Sequence, residues 1–344
     1  MTAENKSIPM KSIPLRMAVA LAALATLACL SACSRTDNKP SGQPEKITIA
    51  NIIPPFTVPV DVAWQQGYFS REGLAVTMRK YPYGLIALQA LLEGKADFAT
   101  VAETPIMLAI MKGEKLSIIA TIQSSKKNNA IIARRDLGIN TPRDLKGRRM
   151  AATFGTISEF FMDGFLALNG ISRSEMKVVD LKPEEMSVAL ASGEIDAAST
   201  WTPPLMAMQK KLGGRGIIFY NEEMYSQTIS IVAKREFIHA NPGKVEKLLR
   251  ALVSADDFIM ENPAAAQKIV AEYNRMDAEM LREMWADNKY RVSLEQSLIM
   301  ALEDESEWAI KHGLTSAGKV PNFLDFVYFD GLTSVKPSAV RILR

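Results

Sequence analysis

Cysteine is nearly missing from this 344-residue chain; Cys29 and Cys33 are the only two, and both sit in the N-terminal apolar segment. The remaining chain therefore has no disulfide framework, no thiol nucleophile and no thiolate metal site. Histidine is equally scarce, with His239 and His312 alone, which removes the commonest general base and metal ligand. His239 precedes a helix start at Asn241-Pro242 and His312 adjoins the helix-ending Gly313, so both read as surface residues. There is no H-E-x-x-H, no G-x-S-x-G, no Walker loop and no G-x-G-x-x-G after a strand, which argues against the hydrolase, nucleotidase and dehydrogenase chemistries those motifs carry. Neither charge sign dominates; the formal net charge is +3. A clustered basic face for nucleic acid is not in the pattern. No apolar run is long enough to span a bilayer.

What is present begins at the N-terminus. Lys11 and Arg16 precede the apolar stretch Met17–Leu30, followed by Leu30-Ser31-Ala32-Cys33. Basic, apolar, then small residues is the order of an export signal, expected here over residues 1–32. Leu30-Ser31-Ala32-Cys33 resembles a bacterial lipobox, which implies lipid addition at Cys33 and cleavage before it. Cleavage takes away three cations and one anion, lowering the formal charge to +1 from +3. Translation starting at Met1, Met10 or Met17 is compatible with this reading. Residues 33–45, small and polar, are expected to be a flexible tether.

Two later stretches share one pattern. Ala90-Leu91-Leu92-Glu93-Gly94-Lys95-Ala96-Asp97 and Ala189-Leu190-Ala191-Ser192-Gly193-Glu194-Ile195-Asp196 both read A-L-x-x-G-x-x-D, and each is followed by a short run and an in-register proline, Pro105 or Pro204. Glycine ends a helix in the left-handed conformation, a buried strand follows, and proline is accepted in the first turn of the next helix. Around them the spacing predicts strands over Lys46–Ala50, Leu74–Lys80, Asp97–Val101, Ser117–Gln123, Ala130–Ala133, Arg149–Thr153, Lys177–Leu181, Asp196–Thr200 and Ile217–Tyr220. Helices are predicted over Val60–Gly67, Leu85–Glu93, Ser158–Leu168, Pro183–Ser192 and Val245–Met260. Alternating strands and helices indicate α/β layers.

These residues resemble a known family. Gly67-Tyr68-Phe69-Ser70-Arg71-Glu72-Gly73-Leu74, both G-x-x-D units and Thr141-Pro142-Arg143-Asp144-Leu145-Lys146-Gly147-Arg148 are similar, in order and spacing, to the solute-binding proteins of ABC importers for nitrate, sulfonate and taurine, including relatives that bind thiamine precursors. The resemblance covers Lys46 to about Leu314. It implies a two-lobe periplasmic-binding-protein fold of type II, each lobe a mixed sheet flanked by helices, with two crossover segments. The crossovers are expected near Ala133–Asp136 and Ser230–Lys234. Lobe 1 is then 46–134 plus 231–344, and lobe 2 is 135–230.

In open α/β sheets ligands sit beyond the carboxyl ends of strands, where helix N-termini offer unpaired N–H groups to anions. Four strand-to-helix turns qualify: Asn51–Thr57, Glu103-Thr104-Pro105, Phe154–Ser158 and Trp201–Pro204. Gly155, Thr156 and Ser158 are the anion-contact candidates, with N-capping as the competing role of the two hydroxyls. Glu103 and Glu159 have two readings. In a closed cleft they favour an amine or ring N–H; otherwise they are ordinary first-turn carboxylates. Trp201, Phe56 and Tyr83 are candidates for stacking on a planar ligand or for core packing. Gln123 and Ser124, at a strand end, and Asn51 and Gly84 complete the ligand-binding set.

The function implied is extracytoplasmic capture of a small anionic or zwitterionic ligand of sulfonate, nitrate or amine-bearing heterocycle type, without catalysis, cofactor or metal. The partners implied are an ABC permease and its ATPase, a membrane touched only through lipid, and no nucleic acid; the chain is expected to be a monomer. The alternative is an enzyme on the same fold resembling thiamine-pyrimidine synthase, whose histidine and cysteine chemistry this chain lacks.

Overall fold

The computed structural model describes residues 43–343 apart from Pro54 and Tyr225. The expected signal segment, Cys33 and most of the tether lie outside the described residues. Among the described residues no helix is long and apolar enough to cross a membrane.

The chain opens with β1 (Glu45–Ile52), α1 (Val58–Gln65), α2 (Tyr68–Arg71), β2 (Leu74–Tyr81), α3 (Gly84–Leu92), β3 (Phe98–Ala102), α4 (Glu103–Met111) and β4 (Leu116–Ser125). A second set follows: β5 (Asn129–Arg134), β6 (Arg149–Ala152), α5 (Ile157–Leu168), β7 (Lys177–Asp180), α6 (Pro183–Ser192), β8 (Ala197–Trp201), α7 (Pro204–Leu212) and β9 (Gly216–Phe219). β10 (Gln227–Lys234) returns to the first set. It is followed by α8 (Arg235–Ala240), α9 (Pro242–Glu261), α10 (Pro263–Asn274), α11 (Ala278–Ala286), β11 (Leu294–Glu295), α12 (Gln296–Lys311), α13 (Phe329–Val335) and β12 (Val340–Arg341). α1 and α4 each begin two residues before the predicted start, since proline is accepted one or two places inside the first turn as well as at its head.

Two five-stranded sheets result, ordered β2-β1-β3-β10-β4 and β7-β6-β8-β5-β9. In each, three strands run parallel and the fourth runs antiparallel. The repeated G-x-x-D motif explains the match. Gly94 and Gly193 end their helices at positive φ, 74° and 85°. Three residues on, Asp97 accepts the Thr48 N–H at 2.7 Å, while its own N–H donates to the Thr48 carbonyl. Asp196 does the same with Arg149, at 2.9 Å, and also binds that guanidinium. Each aspartate thus ties the third parallel strand of its sheet to the first.

The crossovers fall earlier than expected. β5 pairs with β8 and β9, not with β4, so the outward passage is Lys126–Asn128; the return is Tyr220–Ser226, since β10 pairs with β3 and β4. Relative to the expected boundaries at 134/135 and 230/231, β5 thus belongs to the second sheet and the start of β10 to the first. An apolar run such as Ala130–Ala133 specifies a buried strand, but its partners are long-range and leave no local mark. Lobe 1 is therefore residues 43–125 and 227–343, and lobe 2 is 129–219.

The strands of β5 show how lobe 2 is filled. Ala130 and Ile132 face Met186, Leu190, Leu205 and Met208; Ile131 and Ala133 face Met150, Phe161 and Phe165. The period of two gives the sheet a core on either face. Lobe 1 has one larger core, which runs from β1 through the C-terminal helices to Phe323 and Leu332 and also takes in Ile157 and Trp201 of lobe 2. α4 is buried along its whole length, lying between the lobe 1 sheet and α12; a helix apolar all round has to be so placed.

Candidate functional site

The carboxyl ends of strands from both sheets converge on one small cavity of about 30 Å³. Lobe 1 supplies Ile52, Phe56, Pro82, Tyr83, Gly84, Leu85, Ala102, Pro105, Gln227 and Ile229; lobe 2 supplies Thr156, Ile157 and Trp201. Among the described residues, no lysine, arginine, histidine, aspartate or glutamate lines it. Tyr83 and Trp201 meet across the lobes, with ring centroids 5.9 Å apart and planes tilted by 59°. Burial, followed by the nearby Glu184, Asp180 and Glu185 carboxylates, pushes the Tyr83 phenol above its ordinary pKa, so it stays protonated. Pro82, Tyr83 and Trp201 also wall a second hollow of about 390 Å³ towards the outside.

Gly84 shows why the sequence needs glycine at one corner. A Cβ there would lie 3.2 Å from the Ala102 nitrogen and from the Val101 Cα, so any side chain would push the start of α3 a few tenths of an ångström off the end of β3.

Phe56, Tyr83, Gly84, Thr156 and Trp201 of the expected set line the cavity. The others are engaged elsewhere. Asn51 is buried at the end of β1; its amide nitrogen donates to Asp61 at 3.2 Å, and its oxygen accepts from the Thr100 hydroxyl at 3.2 Å. Gln123 donates to the Asn288 side-chain oxygen at 2.5 Å, next to the outward crossover. The Ser124 N–H donates to the Lys289 carbonyl at 2.9 Å. Thr104 is buried behind the cavity wall. Gly155 lines a separate apolar groove with Leu85, Leu108 and Phe154.

The Phe154–Ser158 turn, the expected anion contact, satisfies itself. The Thr156 hydroxyl donates to the Thr153 carbonyl at 2.6 Å and accepts the Ser158 N–H at 3.2 Å. The Ser158 hydroxyl accepts the Thr153 N–H at 3.0 Å and donates to the Ser199 carbonyl at 2.7 Å. Glu159 takes the Gly155 N–H at 2.9 Å on one oxygen and Arg173 at 2.8 Å on the other. The place an anion would occupy at the head of α5 thus holds the chain's own carboxylate. Neither Glu103 nor Glu159 lines the cavity. Glu103 is wholly buried and accepts the Thr228 N–H at 3.0 Å and hydroxyl at 3.1 Å. Burial raises its pKa to about 8. Buried Glu305 on α12 is also pushed well up, first by burial and then by the Glu103 charge. α7 begins Pro203-Pro204, which have no N–H to offer. α3 begins at Gly84 with no acidic residue in its first turn, so its head is the open one at the cavity.

Ile52, Pro82, Leu85, Ala102, Pro105, Ile157, Gln227 and Ile229 line the cavity outside the expected ligand-binding set. Several adjoin the turns read from sequence, and attention to polar atoms passed over them. Gln227 carries no local signal; it arrives because β10 crosses back between β3 and β4, and its side-chain oxygen accepts from Asn129 at 2.8 Å.

A second contact between the lobes lies on α5. The Trp308 indole N–H of α12 donates to Asp163 at 2.9 Å, and Phe160 meets the Trp308 ring edge-on at 5.4 Å. Arg173 also binds Asp163 at 2.8 Å. His312, expected on the surface, is half-buried here, with Nδ1 3.6 Å from Asp163.

The pattern of the NMT1/THI5-like family matches residues 55–266. This chain belongs to that family. Among its relatives, a putative aliphatic sulfonates-binding protein of Bacillus subtilis (strain 168) is 23% identical over 240 residues, covering 70% of this chain and 72% of the relative. The 4-amino-5-hydroxymethyl-2-methylpyrimidine phosphate synthase of Schizosaccharomyces pombe is 24% identical over 252 residues, 67% of this chain and 70% of that one. The alkanesulfonate-binding protein SsuA from Xanthomonas axonopodis pv. citri, solved with MOPS bound, superposes with a TM-score of 0.71 at 19% identity, over 84% of this chain and 99% of its own. The architecture is the periplasmic-binding-protein fold.

Proposed function

We propose that this chain is the solute-capturing component of an ABC importer, working outside the cytoplasm as a monomer, tethered by lipid on Cys33 and delivering to a permease with its ATPase. The observation that carries this reading is a cavity walled by strand ends of two equivalent sheets, with Tyr83 and Trp201 meeting across it. The solute is a small anionic or zwitterionic molecule held without covalent chemistry; the open head of α3 supplies N–H groups and partial positive charge for its polar end. The cavity, of about 30 Å³, lies between the lobes; the solute enters as they part about the two crossovers, and capture is their closure. Trp308–Asp163 and Tyr83–Trp201 are contacts of the closed arrangement, the kind that gives a ligand differential affinity.

The catalytic alternative, favoured by the synthase among the relatives, needs acid–base or nucleophilic groups at the cavity; among the described lining residues only Tyr83 and Thr156 carry such a group, and the Thr156 hydroxyl is spent on the Thr153 carbonyl. A thermal-shift screen over nitrate, taurine, alkanesulfonates and aminopyrimidines, followed by calorimetry, tests the reading. One class should raise the melting temperature, bind stoichiometrically and be recovered unchanged. Chemical conversion of the bound compound would establish the enzyme instead. Cys33→Ala should release a folded protein into the soluble fraction; continued partition with membranes would refute the lipid anchor.

A further inference from the structure

The site has two compartments of different chemistry. The inner cavity of about 30 Å³ has the polar groups, Thr156 and Gln227, and the open head of α3. The outer hollow of about 390 Å³ shares the Pro82, Tyr83 and Trp201 wall and adds Pro183 and Pro204 of lobe 2; Glu184 is its one charged residue. Its volume is within the range of organic-ligand pockets. Its walls bring together three proline rings and two aromatic rings from both lobes, with Ile53, Ser187 and Ala207 between them. A bare oxyanion or a two-carbon sulfonate fills the inner end and leaves this hollow to water. An aromatic body placed there exchanges water for ring faces, which favour offset or edge-on aromatic partners.

We propose that the ligand is a ring-bearing solute: a small polar head in the inner cavity and an aromatic body in the outer hollow against Tyr83 and Trp201. This rests on the reading of the chain as a solute-capture protein and narrows its substrate class. Discrimination then lies in the body of the ligand, while the head is read by backbone and amide groups. The hydrogen bond from Asn129 to the Gln227 oxygen assigns the Gln227 NH₂ as the side-chain donor suited to that head.

Calorimetry on the full chain with matched pairs tests this: benzenesulfonate against methanesulfonate, benzoate against acetate, and benzylamine against methylamine, with taurine and nitrate alongside. The aryl member of at least one pair should bind tenfold tighter or better, a difference of about 1.4 kcal/mol. Trp201→Ala should abolish that preference. Because Trp201 also packs in the core, Ser187→Trp gives an independent check; it fills the hollow from the α6 side and should reduce aryl binding at least tenfold while leaving the methyl analogue unchanged. Equal or tighter binding of the methyl compounds, taurine or nitrate overturns the ring-bearing class and leaves solute capture intact. Aryl preference undiminished in both variants overturns the placement in this hollow. Silence across all the probes and across the wider solute screen overturns both readings together.

Discussion

The two lobes share a strand order and yet treat the buried carboxylate of their first helix in opposite ways. The first helix of each carries one in its first turn, Asp61 on α1 and Glu159 on α5, both almost fully buried. Glu159 meets a cation, Arg173, which also holds Asp163. Asp61 meets amides, Asn51 at 3.2 Å and Asn274 at 2.9 Å. Among the described residues it forms no ion pair, and burial pushes its pKa from 3.8 to about 7 despite those bonds and the charge of Lys80. Glu103, again in lobe 1, is satisfied on one oxygen by Thr228 and is likewise driven up. Amide partners meet the geometric needs of a carboxylate without offsetting its desolvation; a guanidinium does both. The first helix of lobe 2 thus holds its carboxylate against a cation, whereas that of lobe 1 holds its carboxyl among amides; farther along lobe 1, buried Asp256 is itself paired, with Arg291 and Lys336.

The largest test of this contrast is Arg173→Met. It leaves Glu159 and Asp163 buried without their shared cation, and loss of one member of a buried ion pair costs about 3–5 kcal/mol. Urea unfolding should show a loss of that order. A loss under 1 kcal/mol would mean that lobe 2 relies on its charges no more than lobe 1 does.

The middle-sized test is pH. Asp61 and Glu103 have folded-state values near 7 and 8 against ordinary values of 3.8 and 4.5. Between those limits the native state binds more protons than the unfolded chain, so their contribution is fully present below about pH 4 and is lost as pH rises through 7 and 8. The urea midpoint should be lower at pH 8.5 than at pH 5. Glu103→Gln, whose amide oxygen still accepts from Thr228, should make the decline shallower without abolishing it, since Asp61 and Glu305 still titrate above their ordinary values. A flat profile in the parent would contradict the assignment of neutral carboxyls to lobe 1.

The smallest effect compares the repeated aspartates. Asp97→Asn removes a charge-assisted bond to one backbone N–H, at about 1 kcal/mol. Asp196→Asn also releases the Arg149 guanidinium, bound at 2.6 Å, a further loss that solvent and salt screen because the arginine is exposed. Asp196→Asn should be the more destabilising of the two in the same urea assay, and the difference should shrink in high salt; equal, salt-independent losses would show that Arg149 adds nothing to the motif.

The repeat was legible in the sequence because its causes are local. A left-handed glycine ends a helix, and an aspartate three residues on meets a strand N–H whose position the helix length fixes. Phe56, Tyr83, Gly84, Thr156 and Trp201 were reachable because they stand beside strand-to-helix turns. Asn51, Ser158 and Glu159 stand in the same turns and look alike in sequence, yet their polar atoms are spent on Asp61, Ser199 and Arg173. Thr100, Asn274, Ser199 and Arg173 are remote or unmarked partners, and nothing in a linear pattern announces them. Gln227 was missed for the converse reason, a residue without a motif carried to the cavity by the pairing of β10.

By itself the sequence determined the alternation of strands and helices, the duplication, and the lack of any cysteine beyond residue 33, since propensity, helix capping and composition act over a few residues. Tertiary structure alone decided where the chain changes sheets, which hydroxyls and carboxylates were consumed internally, and that the cavity lining is uncharged. Those outcomes depend on which distant groups are brought within hydrogen-bonding reach, and in this fold the partners come from opposite ends of the chain.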